Sequence, residues 1–156
     1  MAKRLVRVNE EGSPVLLADQ DRSRWDHAAI AEGQAFLAAA VRRSGGVAGP
    51  YQLQAHLAAC HSTAARWEAT DWDRIVALYD LMLRLSPNPA VALNRAIAIG
   101  ERDGPAAQLA ARADALRRLG QISQAREELR AAAELAISAP ERRLLAARLA
   151  ALQQGR

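Results

Sequence analysis

The sequence predicts an all-α chain of antiparallel helical hairpins, and three observations predict it. Apolar residues recur at helical spacing over most of the length, stops containing Pro and Gly interrupt them at short intervals, and strand-like patterning is confined to residues 5–17. These stops leave about seven helices joined by short turns. At 156 residues, one compact unit is expected, with residues 1–22 as a short irregular or hairpin N-terminal arm and residues 23–153 as the helical domain.

The elements follow in order. In "LVRVNEEGSPVLL", two β-branched pieces flank a Glu-Gly-Ser-Pro turn, which fits a small hairpin or an extended arm. Ser23 and Asp26 then make a Ser-x-x-Asp capping pattern, which predicts a first helix from about Arg24. Its expected buried face is Trp25, Ala29, Phe36, Leu37 and Ala40, and "SGGVAGP" ends it. A second helix runs from about Tyr51 to Trp67, with Leu53, Leu57, Cys60 and Ala64 at helical spacing. Thr70 or Asp71 caps a third, whose Trp72, Ile75, Leu78, Tyr79, Met82 and Leu85 face inward until "SPNP" breaks it. "AVALNRAIAIGER" is a fourth helix, "DGP" a further break, and helices near 106–119, 122–137 and 140–153 complete the set.

The spacing within these helices indicates the kind of hairpin. Tetratricopeptide-like pairs place a small residue at the close helix crossing, a large apolar residue four later and a small or apolar one three after that. Ala125, Leu129 and Ala132 fit this spacing behind Gly120; Ile75, Tyr79, Met82 and Pro87 fit it with a larger residue at the crossing. Gly120 is expected in a left-handed cap and Ala125 at the backbone approach. Trp25, Trp72 and Tyr79 are the expected core aromatics.

Charge and composition exclude several functions. No run of about 18 apolar residues is present to span a bilayer, and "MAKRLVRVNEEG" lacks the apolar stretch of a signal peptide, so a cytoplasmic protein without membrane association is expected. The single Cys60 excludes an intrachain disulfide framework. The formal charge of +4 is spread over arginines that have acids nearby, with no basic stripe carrying interleaved aromatics. Arginine outnumbers lysine by 20 to 1 and there are 37 alanines, a bias that fits a GC-rich bacterial genome better than it marks a function.

Two constellations invite chemistry. In "HLAACH", His56 and Cys60 are one turn apart and able to share a zinc ion, but the neighbourhood offers no fourth ligand; a buried cysteine beside two partly exposed histidines explains the string without metal. In "LLADQDRSRWD", Asp19, Asp21 and Asp26 resemble paired carboxylates, yet no activated nucleophile, phosphate loop or metal set accompanies them. No catalytic residue, metal or cofactor is therefore expected. Two readings remain for that stretch: a structural clasp in which Asp21 and Ser23 cap, Trp25 enters the core and Arg22 or Arg24 pairs with acids, or a loop in which Asp19, Gln20, Asp21 and Arg22 meet a protein partner. In "LNRA", Asn94 and Arg95 fall where helical-repeat proteins point polar side chains into a concave face, and a capping or interhelical hydrogen bond by Asn94 explains it equally.

The strings "DQDRSRW", "YQLQA", "TDW" and "LNRA", set in a frame running from about Arg4 to Leu152, resemble the C-terminal tetratricopeptide-like extension of bacterial extracytoplasmic-function sigma factors. Nothing within these 156 residues resembles the two promoter-binding domains of such factors. Two departures stand out: between "DGP" and "ARADALRRLG" there is only "AAQLA", where the family carries a longer segment with another half-repeat, and His56 and Cys60 replace apolar residues. The resemblance implies a non-enzymatic regulatory domain of transcription initiation. Its partners would be the sigma core domains, RNA polymerase or another regulatory protein, with no sequence-specific nucleic-acid binding by this chain alone. The alternative is a stand-alone scaffold for a peptide or protein.

Overall fold

The computed structural model describes residues 12–46 and 48–154. Among them the chain is all-α, with seven helices: α1 His27–Arg43, α2 Pro50–Thr63, α3 Trp72–Leu85, α4 Pro89–Asp103, α5 Pro105–Arg118, α6 Ile122–Leu135 and α7 Ala139–Gln154. Short 3-10 turns cover Arg22–Arg24 and Trp67–Ala69. Residues 1–11 of the expected arm lie outside the described residues, and in the remainder a lone bridge at Pro14 is the extent of β-structure.

The chain forms two compact units that divide after Arg74, just inside α3. This differs from the expected boundary at residue 22, and the reason is local. Arg22 reaches the end of α2, so the arm's last residues belong with the first hairpin.

In the first unit, α1 packs on α2. The start of α1 is also displaced from the expected position. Asp26, not Ser23, is the N-cap, its carboxylate accepting the Ala29 amide at 2.9 Å, while Ser23 lies within the preceding 3-10 turn. The expected buried face of α1 is not buried: the helix has no buried residue, and Phe36 is 65% exposed. At α2, Pro50 occupies the first turn and the Gln52 side chain accepts the Gly49 amide, while Leu53 and Cys60 are buried. Trp67 belongs to a separate 3-10 turn instead of ending α2.

In the second unit, α4, α5, α6 and α7 pack in sequence as stacked antiparallel hairpins. The breaks are those expected from sequence. Asn88 accepts the Ala90 amide and Pro89 starts α4; Gly104 and Pro105 turn the chain into α5, which runs unbroken through "AAQLA". Gly120, at φ 75°, forms a Schellman motif: its amide donates to the Arg117 carbonyl and the Gln121 amide donates to that of Leu116. Small residues permit close packing. Ala125 and Ala132 have no exposed surface, Leu129 is buried between them, and with Ala110, Ala113, Ala136 and Leu145 they form the core. A Cβ on Gly100 would lie 2.8 Å from the Gln108 Cβ, which shows how nearly α4 and α5 touch.

Ile75 and Leu78 are buried as expected, together with Val76. Trp25, Trp72 and Tyr79 are half-buried, and Leu85 is exposed. The expected aromatic core is thus corrected: the largest fully buried side chains are Leu53, Ile75 and Leu129.

Candidate functional site

The "DQDRSRW" stretch folds as a clasp in the first unit. Gln20 donates to the Val15 carbonyl at 3.1 Å, and Asp21 accepts from both the Ser23 amide and the Ser23 hydroxyl, at 3.0 and 2.6 Å. These bonds hold the Asp21 carboxyl below the usual carboxylate range. Arg22 is turned inward and is only 5% exposed. Its Nη1 donates to the carbonyls of His61 (2.8 Å) and Ala64 (2.9 Å), the last turn and C-cap of α2. A helix end leaves such carbonyls unpaired and carries partial negative charge, so a guanidinium there satisfies both demands.

Aromatic rings complete the clasp. The Arg22 guanidinium lies 5.0 Å from the Trp25 ring centre and 5.9 Å from that of Trp67. Trp67 meets Trp72 edge-on at 4.9 Å, and His61 stacks on Trp67 at 6.0 Å. Burial, and then the Arg22 charge, push the His61 pKa below the ordinary histidine value; its Nδ1 is buried without a hydrogen-bond partner. The arginine thus bonds carbonyls and faces rings, where sequence reasoning expected an acid. Of the four loop residues, Gln20, Asp21 and Arg22 hold local structure, which leaves Asp19 as an exposed acid at the surface.

The "HLAACH" residues do not converge on a metal. Among the described residues, no group of three or more His, Cys, Asp or Glu is placed to hold one. His56 Nδ1 lies 3.3 Å from the Arg74 guanidinium, and burial followed by that charge lowers its pKa; burial raises the Cys60 thiol. A cation beside each histidine makes a poor setting for a second cation.

The second unit contains an open groove of about 300 Å³ between α3, α4 and α5. Asp80 and Arg84 of α3, Arg95 of α4, and Asp114 and Arg118 of α5 line it, with Ala92, Ala111 and Ala115 between them. Arg95 Nε donates to Asp80 at 2.6 Å, and Asp114 is paired with Arg148 of α7 at 2.7 Å. Arg95 therefore lines a polar groove. Asn94 is exposed but does not line the groove, and the capping alternative for it is excluded, because Asn88 caps α4. Arg84, Asp114 and Arg118 were missed: their helical spacing is visible in sequence, but their convergence depends on how three helices pack.

Fold and groove together define an all-α protein of helical hairpins with a charged concave face. A family of unknown function, DUF6596, matches residues 1–41. An uncharacterized protein of Rhizobium meliloti (strain 1021) is 47% identical over 105 residues, 67% of this chain and 24% of the relative, so the matched segment is about a quarter of that protein's length. No solved structure gives a significant match. Among the described residues, no helix is long and apolar enough to cross a membrane.

Proposed function

We propose that this chain is the regulatory, protein-binding extension of an extracytoplasmic-function sigma factor, acting through contact with sigma core domains or polymerase and without catalysis. The observation that carries this reading is the set of polar strings "DQDRSRW", "YQLQA", "TDW" and "LNRA" at fixed places in a helical-hairpin chain. Each string has a structural duty that a generic alanine-rich repeat would not require. The first makes the clasp, Gln52 closes a helix start, Trp72 meets Trp67, and Arg95 pairs with Asp80 beside the fully buried Ala96. A relative of which only 24% is matched leaves ample length for promoter-binding domains, which this reading requires in the whole protein. The work would take place in the cytoplasm, where the polymerase is.

A stand-alone scaffold is the second reading, and the groove of the second unit favours it because a peptide can lie there with or without sigma domains. Capture of separately expressed sigma domains and polymerase by the full chain distinguishes the two. The Asn94→Ala, Arg95→Ala double variant should keep its circular dichroism, since the partly exposed Arg95–Asp80 pair contributes about 1 kcal/mol or less to folding. Capture should weaken by roughly tenfold. No capture by the unaltered chain would remove the transcription reading.

A further inference from the structure

The groove's charges do not balance, and the imbalance points to an occupant. Its two acids already have partners: Asp80 binds Arg95 and Asp114 binds Arg148. Arg84 and Arg118, on the two flanking helices, are exposed, and among the described residues neither has a carboxylate within ion-pair distance. We propose that this groove docks an acidic peptide segment of a protein partner, with Arg84 and Arg118 each receiving a carboxylate. The inference rests on reading the chain as a protein-binding module and adds the chemistry of what it binds.

Three features select a peptide of this kind. A guanidinium presents a planar pair of donors that matches a carboxylate, and an arginine without a counter-charge loses no existing pair when it binds one. The small side chains Ala92, Ala111 and Ala115 let a backbone approach the helices closely. Asp80 and Asp114 stand among the arginines, so a continuous track of phosphates would meet repulsion at both, whereas a peptide can place neutral residues there. The Arg95–Asp80 pair also fixes the groove's middle before anything binds.

The test uses the full chain and a fluorescent Glu/Ala peptide, with a Gln/Ala peptide and oligothymidine as comparisons, at low and physiological salt. The acidic peptide should bind, the Gln/Ala peptide should not, and affinity should fall as salt rises. The Arg84→Gln, Arg118→Gln double variant should bind at least about tenfold more weakly. The Arg42→Gln, Arg43→Gln variant, which removes two exposed arginines at the end of α1, should bind within about twofold of the unaltered chain. An equal loss in both variants would overturn the proposal, showing attraction to general positive charge. Tighter binding of oligothymidine with the same dependence on Arg84 and Arg118 would overturn it in favour of a nucleic-acid groove, and so would no binding of the acidic peptide at low salt. Groove-dependent peptide binding without capture of sigma domains would support the inference while removing the transcription reading. Capture of sigma domains that ignores the Arg84, Arg118 variant would overturn the inference and leave that reading standing.

Discussion

Residues 12–74 and residues 75–154 both join helices into hairpins, but with opposite materials. Among the described residues the first unit buries Leu53, Cys60, Thr70 and Arg22; Trp25 and Trp67 face that arginine, and Trp72 packs edge-on against Trp67. Every buried side chain of the second unit is apolar, and most are alanine. Directional contacts hold the first unit, through charge-assisted hydrogen bonds and ring faces; close backbone approach and dispersion hold the second. The difference matters for engineering: the first unit is sensitive to loss of one polar group, the second to any change of volume at its crossings.

The largest expected effect lies in the second unit. Leu129→Ala removes a side chain that is 2% exposed, at the centre of the alanine core, and should cost about 3 kcal/mol. Urea unfolding followed by circular dichroism should show it, with a larger shift in the helical signal than in tryptophan fluorescence, because Trp25, Trp67 and Trp72 all lie in the first unit. Equal shifts in both signals would show that the contrast between the units does not extend to their unfolding.

Arg22→Ala should reverse that order of probes. It deletes two bonds to helix-end carbonyls and the cation between two rings, at a cost of about 2 kcal/mol, seen first in fluorescence. Arg22→Met sharpens the comparison. The Nε and Nη2 groups of Arg22 are buried without hydrogen-bond partners, so an apolar chain of similar length removes a penalty as well as a benefit. Recovery of most of the stability by methionine would assign the clasp to packing between the rings; no recovery would assign it to the carbonyls.

How much of this was legible depended on whether the cause was local. The breaks between α3 and α4, α4 and α5, and α5 and α6 were readable because Asn88, Pro89, Gly104, Pro105 and Gly120 each act on their own backbone. The start of α1 was misread because Ser23 and Asp26 both suit a cap, and only the fold shows that the serine serves the preceding turn. The inward turn of Arg22 had no sequence signal, since a guanidinium seeking carbonyls 39 and 42 residues away looks like any surface arginine. Arg142 and Arg126 repeat the device at the ends of α6 and α7, donating to the carbonyls of Ala136 and Leu152. Composition registered the arginines but gave no hint of this use. The face that Arg95 presents follows from its position in α4, whereas the groove it lines needed three helices.

A smaller effect is expected at the turn between α5 and α6. Gly120→Ala puts a Cβ on a residue at φ 75°, where nothing lies within 4 Å, so the cost is backbone strain alone, about 1 kcal/mol. The expected result is a lower unfolding midpoint with an unchanged urea slope. A cost as large as that of Leu129→Ala would mean that the Schellman turn, and not the alanine crossing, sets the stability of the hairpin.

The smallest effect concerns pH and belongs to the first unit. His61 is held neutral by burial and by the Arg22 charge, so its folded pKa lies below the unfolded value of about 6.5. The unfolded chain therefore takes up this proton first as pH falls. The contribution of His61 is complete above pH 6.5, is lost as pH drops from there to the folded pKa, and changes no further below it. His56 shifts in the same direction, through burial and Arg74, so two groups share the slope. His61→Phe keeps a ring beside Trp67 and Trp72 without a titrating nitrogen, and it should reduce the acid-side loss of stability without abolishing it. Fluorescence-monitored unfolding on both sides of pH 6.5 measures this. An unchanged slope in His61→Phe would move the whole effect to His56, and with it the claim that the arginine clasp sets the pH response of the first unit.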